Sequence, residues 1–466
     1  MEKKKGLNVS VKSFLTAIVI LFVLMILTYI MTFVIPAGEF ARIVDVNGEV
    51  VIDTAKGFNY LESGGISFVK WILSPVLVLG AEGNATLLAV IVFLLVIGGV
   101  FNSLEHSGLM RYMLDKIVKK FGGTRYKLMA VIILFFMCLG AFIGSFEECV
   151  PLVPIVVALA VSLGWDAQTG LCISLLAAGC GFASGVCNPF TVGVAQELAG
   201  LPMFSGMGFR FFAFILIYGL LLYFVYKYAK RIEQPFCIEK NDKAFVEDRK
   251  MDRGLVCFCG ILGTGVILIF SSVFVTVLQD YTMIIVAVMF LLAGIFATGI
   301  AGMKGKELGT SFWQGLAGVF PAVIMILMAS SIKYTLEEAK ILDTILCKAL
   351  EIAGALPKWQ VILFIYLMVL TMNFFISSGS AKAFLLIPLI VPMAQMFGIS
   401  AQLCIMAFAF GDGFSNVFYP TNPVLLISLG LADMSYTDWV KHTWKFQMMN
   451  LILTGGMLLL GLAIGY

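Results

Sequence analysis

Long apolar segments recur along the whole chain, and short polar clusters separate them. An apolar run of about 20 residues crosses a hydrocarbon core of about 30 Å as an α-helix, because each residue adds about 1.5 Å. The pattern predicts an all-α integral membrane protein with nine transmembrane helices and two re-entrant hairpins. The predicted spans lie near residues 13–36, 84–104, 166–190, 209–228, 254–278, 282–303, 311–332, 400–423 and 446–466.

The sequence also repeats itself with a shift of 232 to 234 residues. A fixed shift shared by many matched positions is the mark of an internal repeat. The matches include Gly122 with Gly354, Pro154 with Pro388, Gly164 with Gly398, and Gly181-Phe182 with Gly413-Phe414. We therefore predict two homologous halves.

The orientation of the two halves depends on how many spans separate them. Segments 127–163 and 358–397 each hold two arms of about 15 residues around a polar centre, which is short for a crossing. Interpreting both as re-entrant hairpins places the basic N-terminus and the charged loop 230–253 on one cytoplasmic side, as the positive-inside tendency favours. Five crossings then separate the repeats, and this odd number predicts opposite topologies.

This interpretation divides the chain into five parts. They are the N-terminal tail and first span (1–36), an external loop with an interfacial segment (37–83), repeat 1 with hairpin 127–163 (84–228), a charged cytoplasmic loop with two connecting spans (229–310), and repeat 2 with hairpin 358–397 (311–466). The cations Lys441, His442 and Lys445 are expected on the cytoplasmic side, before the last span.

Composition supports a membrane protein and excludes several classes of function. Hydrophobic residues make up 61% of the 466 residues and charged residues 13%, with a formal net charge of +3 that does not indicate nucleic acid binding. The chain has no P-loop, H-E-x-x-H or G-x-S-x-G motif. We predict neither an enzyme nor an ATP-driven pump, and no cofactor.

Four polar interruptions fall inside apolar segments, where inverted repeats bind substrates and ions near the bilayer midplane. Two are the predicted hairpin tips, 144–148 and 377–382, and two are the broken spans 180–191 and 412–423. The candidate substrate-binding residues in them are Ser145, Glu147, Glu148, Asn188, Ser377, Ser378, Gly379, Ser380, Lys382, Asn416, Thr421 and Asn422.

The charges at the two tips allow two interpretations. Glu148 in the first repeat aligns with Lys382 in the second. Charges inside a membrane are costly unless they are paired or functional. The two side chains could therefore bind opposite ends of an amino acid, or they could be neutralised by each other or by other residues.

The broken spans suit a coupling ion. Proline and glycine free backbone carbonyls there, and neighbouring amide and hydroxyl oxygens complete a lining suited to Na⁺ or to a ligand carboxylate. A packing kink is the alternative. The candidate ion-coupling residues are Ser184, Thr191, Asp412 and Ser415, with Na⁺ near Asn188 and Asn416. A buried Asp412 could instead carry H⁺.

Several motifs occur together in the chain: 34–40 (VIPAGEF), 144–148 (GSFEE), 188–191 (NPFT) with 204–206 and Arg210, 377–382 (SSGSAK), and 411–416 (GDGFSN). Over nearly the whole chain this combination resembles the YfcC-type branch of the C4-dicarboxylate anaerobic carrier and basic amino acid antiporter family, in the ion transporter superfamily. The resemblance implies a homodimer with a scaffold domain, an elevator-type transport domain and a bacterial inner membrane. The Ser-Asn-Thr signature frequent at superfamily tips is absent here, so those Na⁺ sites do not transfer.

We therefore predict a secondary active transporter, either an ion-coupled symporter or an exchanger, for small amino acids or peptides. Basic amino acids such as arginine, ornithine and lysine are favoured, because Glu147 and Glu148 would repel a dianion and attract a cation. A C4-dicarboxylate carrier is the alternative, and an ion channel is the alternative from another class. The expected partners are the substrate, the lipid bilayer, a second copy of the chain, and Na⁺ or H⁺ as the coupling ion.

Overall fold

A computed structural model of the chain describes residues 11–44, 50–52, 57–62, 65–81, 85–144, 146–202, 204–234, 248–272 and 282–466. Within these residues the fold is almost entirely helical, as predicted, and eight helices are long and apolar enough to cross a bilayer. They are Leu87–His106, Arg125–Ile143, Ala167–Ser184, Met207–Ile232, Gly305–Glu338, Lys358–Phe375, Gly379–Met396 and Tyr436–Ile464.

The first part of the chain forms eleven described α-helices: α1 (Val11–Val34), α2 (Phe68–Ile72), α3 (Ser74–Leu77), α4 (Ala85–His106), α5 (Leu109–Phe121), α6 (Arg125–Cys138), α7 (Val153–Ser162), α8 (Ala167–Leu171), α9 (Ala177–Ser184), α10 (Val194–Leu198) and α11 (Met207–Ile232). Three turns are π-helical. One continues α6 through Leu139–Ile143, a second joins α8 to α9 through Cys172–Leu176, and a third leads into α10 through Pro189–Gly193. Short 3₁₀ turns occur at Val78–Gly80, Gly122–Thr124 and Glu147–Leu152.

The second part supplies nine described helices: α12 (Arg249–Ser272), α13 (Thr282–Ile300), α14 (Gly305–Glu338), α15 (Leu342–Ala353), α16 (Lys358–Phe375), α17 (Gly379–Met396), α18 (Ala401–Asn416), α19 (Pro423–Leu431) and α20 (Tyr436–Ile464). The order of elements repeats between the two parts. Arg125 and Lys358, which start α6 and α16, lie 233 residues apart, and Ala167 and Ala401, which start α8 and α18, lie 234 apart. The observed order agrees with the internal repeat in the sequence.

The helices pack into two groups. In the first group, which we call the outer group, α4 packs along α14, α13 packs against α4 and α12, and α1 packs against α14. In the second, the inner group, α9 contacts α6, α11 and α18, while α16 contacts α18 and α11 contacts α20. Asn102 of α4 links two outer-group helices, because its buried side-chain amide donates to the Ser311 carbonyl of α14 over 2.6 Å.

The predicted external loop contains short strands that the sequence analysis did not assign. β1 (Gly38–Phe40) pairs antiparallel with β4 (Phe58–Tyr60), and β2 (Arg42–Val44) pairs with β3 (Val50–Ile52). Asp343 at the start of α15 fixes this region, because its carboxylate accepts from Phe40 N at 3.0 Å and from the Arg42 guanidinium at 2.8 Å.

The helix that contains the last predicted span is longer than that span. α20 begins at Tyr436, ten residues before position 446, because Ser435 Oγ caps the helix by accepting from Asp438 N at 3.1 Å. Lys441, His442 and Lys445 therefore lie within the helix rather than before it. Hydropathy alone misses these turns because they are polar.

Candidate functional site

All four predicted interruptions are helix ends in the structure. Gly144 follows the first hairpin arm with φ of 80°, and Gly185 follows α9 with φ of 50°. Both angles lie in the left-handed region, which glycine adopts readily because it lacks a Cβ. In the second half, residues 376–378 separate α16 from α17, and residues 417–422 separate α18 from α19.

Close contacts link three of the interruptions, and the fourth is connected to them through its helical arm. Cys187 N donates to Ala141 O over 3.0 Å, which joins the first broken helix to the arm that precedes the first tip. At the second tip, a Cβ on Gly379 would lie 2.5 Å from Thr191 Cγ2 and 2.7 Å from Asp412 Oδ2. The second tip therefore touches both broken helices, and only glycine permits this approach. We call the region formed by residues 144–148, 185–191, 376–382 and 412–422 the central site.

A buried ion pair lies within the central site. Lys382 Nζ is 2.6 Å from Asp412 Oδ1, and both side chains are fully buried. The same ammonium donates to Ile376 O over 2.9 Å and to Asn373 Oδ1. Each of the three N–H groups of the ammonium therefore has an oxygen acceptor. Lys382 and Asp412 are separate candidates in the sequence, and no signal in it predicts that they pair.

Asn373, in the apolar first arm of the second hairpin, organises the polar contacts around this pair. Its Nδ2 lies 3.0 Å from Asp412 O, 2.7 Å from Ser415 Oγ and 2.8 Å from Asn416 Oδ1. Asn416 Oδ1 also accepts from Asn422 Nδ2 at 2.9 Å, so two amide donors occupy this oxygen. Asn373 was not among the predicted site residues, although a lone asparagine in an apolar arm is a signal for such a role.

Several predicted site residues bond to their own local backbone. Ser184 Oγ donates to Gly181 O over 2.6 Å, and Ser415 Oγ donates to Gly411 O over 2.8 Å. Asn188 Oδ1 accepts from Thr191 N, while Asn422 Oδ1 caps α19 by accepting from Val424 N at 2.9 Å. These contacts stabilise the broken helix ends. Of the described buried oxygens, three at the central site have no hydrogen-bond partner: Thr191 Oγ1, Thr421 Oγ1 and Asp412 Oδ2.

The residues of the two tips differ in their exposure and in their hydrogen bonds. Ser378 is exposed and caps α17 by accepting from Ala381 N at 3.4 Å, while Ser377 and Ser380 are half-buried. Glu147 opens the turn Glu147–Leu152, is half-buried, and makes no ion pair with any residue that the structure describes. Ser145 lies outside the described residues, and the structure describes only the backbone of Glu148.

A family model for the C4-dicarboxylate anaerobic carrier, DcuC, matches residues 14–463. The chain belongs to this family of carriers. Among its relatives, Escherichia coli (strain K12) YfcC, whose name provisionally makes it a basic amino acid antiporter, is 28% identical over 376 residues, 76% of this chain and 74% of that protein. An uncharacterised protein of Haemophilus influenzae (strain ATCC 51907 / DSM 11121 / KW20 / Rd) is 24% identical over 514 residues, 98% of this chain and 97% of that protein.

Two solved transporters resemble this carrier more distantly. The Alcanivorax borkumensis YdaH transporter shares 16% identity at a TM-score of 0.46, covering 97% of this chain and 99% of that one. Neisseria gonorrhoeae MtrF, described with a class of antimetabolite efflux pumps, shares 17% identity at a TM-score of 0.43, covering 95% of this chain and 94% of that one. Family membership makes the protein a multi-pass secondary transporter rather than an enzyme, as predicted.

In this carrier a buried arginine holds one broken helix in place. The fully buried Arg210 of α11 donates to Gly185 O over 2.9 Å and to Val186 O over 3.2 Å. Its guanidinium also lies 3.4 Å from Gln402 Oε1 and 3.2 Å from the Tyr466 hydroxyl. A cation favours the carbonyl end of a helix, so Arg210 satisfies the end of α9 and ties it to the second repeat.

Proposed function

We propose that this carrier transports basic amino acids such as arginine, ornithine or lysine. The observation that supports this proposal is a charge imbalance at the central site. Lys382 is neutralised by Asp412, while Glu147 has no cationic partner among the described residues. A half-buried carboxylate stabilises a cationic ligand and repels a dianion, because charges interact strongly away from bulk water. The name of the Escherichia coli relative agrees with this choice.

The two ends of such a substrate have different binding groups. We infer that the cationic side chain of the substrate binds Glu147, with Glu148 one residue further along the first tip. The substrate carboxylate binds at the start of α17, where Ser377, Ser378 and Ser380 surround the N-terminus of an 18-residue helix. Free N–H groups and the helix dipole favour an anion at that end.

A cavity of about 430 Å³ provides a route to the second tip. Ile376 and Ala381 line it at the second tip, together with Arg42 of β2, Lys340 just after α14 and Asp343 of α15. Its charged walls match a hydrated, charged solute better than an apolar one. We infer that substrates reach the second tip from the external side through this cavity.

We also propose the finer membrane arrangement that the sequence predicts: nine spans, two re-entrant hairpins, inverted repeats and a cytoplasmic N-terminus in a bacterial inner membrane. The packing supports different functions for the two helix groups. The central-site hydrogen bonds and close approaches join α6, α9, α11, α16, α17 and α18 and the segments that follow them, and no outer-group helix supplies one of these contacts. In this proposal the outer group is the scaffold of a homodimer, and the inner group moves as an elevator-type transport domain.

The substrate proposal is tested by counterflow in proteoliposomes. Vesicles loaded with unlabelled arginine are diluted into labelled arginine, with ornithine, lysine or succinate as external competitors. We expect saturable uptake that internal arginine stimulates and that ornithine and lysine inhibit, while succinate has no effect. Uptake of labelled succinate that arginine and ornithine leave unchanged would instead establish a C4-dicarboxylate carrier. Single-channel currents in planar bilayers would establish a channel.

A further inference from the structure

The ammonium of Lys382 sits in a cage of oxygens contributed by three parts of the inner group. Asn373 Oδ1 comes from α16, Ile376 O from the backbone of the second tip, and Asp412 Oδ1 from α18. An amide oxygen, a carbonyl just beyond a helix C-terminus and a carboxylate together form the kind of oxygen set that binds hard cations such as Na⁺ in interrupted membrane helices. Here a side chain of the protein itself fills that cage.

We propose that Lys382 is a fixed cation that takes the place of a coupling Na⁺, so that this carrier works without a Na⁺ gradient. The inference rests on the proposed amino acid transport and deepens it by assigning the coupling mode. An ammonium attached to the chain cannot be released on the far side of the membrane. Because Na⁺ is not carried through this cage, a Na⁺ gradient cannot drive the cycle at this site, and exchange of one amino acid for another becomes the expected mode.

Charge balance argues against a Na⁺ bound beside Lys382. Asp412 carries one negative charge, and the ammonium at 2.6 Å already neutralises it. A Na⁺ added at the unpartnered Asp412 Oδ2 would leave a net positive charge in a site closed to water, which is costly. Two amide donors occupy Asn416 Oδ1, so that oxygen does not supply a compensating ligand.

Thermal unfolding of the purified full-length protein tests the cage without any transport substrate. NaCl is titrated against choline chloride at constant ionic strength. For the wild-type protein we expect no saturable rise of the unfolding temperature with Na⁺. Lys382→Ala leaves the cage oxygens and an unpaired Asp412 charge, so we expect Na⁺ to raise its unfolding temperature in a saturable way, as a ligand of the folded state does. The control Lys382→Ala/Asp412→Asn removes the charge and should lose this response.

Two results of the titration would overturn the proposal. One is a saturable stabilisation of the wild-type protein by Na⁺. The other is a folded Lys382→Ala variant that does not respond to Na⁺. If Lys382→Ala does not fold, the Na⁺ titration of the wild-type protein and the measurement of counterflow with and without Na⁺ test the fixed-cation proposal without this variant.

Arginine counterflow in Na⁺ and in Na⁺-free choline media tests the coupling itself. We expect the two rates to agree within about twofold, because a ligand that does not bind shifts no equilibrium. A saturable requirement for Na⁺ would overturn the fixed-cation proposal while leaving amino acid transport intact. Absence of arginine exchange in both media would instead contradict the proposed substrate, and the unfolding titration would still decide the role of Lys382.

Discussion

Gly413 of α18 packs directly on the backbone of Ala183 in α9, where a Cβ on the glycine would lie 2.2 Å from Ala183 Cα. The two broken helices therefore cross in close contact, with only the small Ala183 side chain beside the Gly413 backbone. This crossing fixes the relative positions of the two helix breaks. Thr191 and Asp412, one from each broken helix, both lie close to Gly379. The central site depends on backbone contact as much as on its polar groups.

Replacing Gly413 should consequently disturb both stability and transport. Gly413→Ala forces the helices apart, and overpacking of this kind costs about 1–3 kcal/mol or more. We expect a lower unfolding temperature and a loss of counterflow. Gly219→Ala in α11 is the matched control, because its new methyl group would meet nothing within 4 Å. If both variants unfold at the wild-type temperature, the backbone crossing is not as tight as described.

Arg210 is expected to be a structural residue of the first break. Arg210→Met removes the donors of Gly185 O and Val186 O, and each buried polar group left unsatisfied costs about 1–3 kcal/mol. Thermal unfolding should show a large loss of stability. The milder comparison is Tyr466→Phe, which removes a hydroxyl that donates to Gly206 O over 2.7 Å and accepts from Arg210 at 3.2 Å, and it should cost only about 0.5–1.5 kcal/mol. Equal effects of the two variants would contradict this ranking.

Asp343 is expected to anchor the β-strand region to α15. Asp343→Asn weakens a charge-assisted contact to Arg42 and the bond from Phe40 N, and hydrogen bonds to charged groups contribute about 1.5–3 kcal/mol. Amide hydrogen exchange in β1 and β4 should therefore become faster. The exposed pair of Lys348 and Glu351 supplies the control Glu351→Gln, whose effect should stay within about 0.5 kcal/mol. Unchanged exchange in Asp343→Asn would show that the strands hold without this anchor.

The sequence could predict the interruptions because each depends on local chemistry. Gly144 and Gly185 supply left-handed backbone, while Pro189 and Pro423 start new helices at equivalent places in the two repeats. The repeat then indicated that the interruptions belong together. The glycines and prolines that end or start these helices lie at the helix breaks themselves, so local sequence is enough to predict them.

The partners within the site could not be predicted in the same way. Lys382 and Asp412 are 30 residues apart, and Arg210 and Gln402 are 192 apart, so their contacts depend on how the second hairpin and the terminal helices dock. The shift that aligns Glu148 with Lys382 suggested a pairing across the repeats. The structure instead pairs Lys382 with an acid of its own repeat, because the second arm of the hairpin packs against α18.

Glu147 has no cationic partner among the residues that the structure describes, and direct binding of labelled arginine to purified protein tests most closely whether its carboxylate binds the substrate. Wild type and Glu147→Gln are compared side by side, with Glu351→Gln as a surface control and unfolding temperature as the check on folding. Loss of a charge partner for a cationic ligand costs about 2–5 kcal/mol, so we predict at least about 30-fold weaker binding by Glu147→Gln, with unchanged stability. Equal affinity of the two folded proteins for arginine would contradict the account.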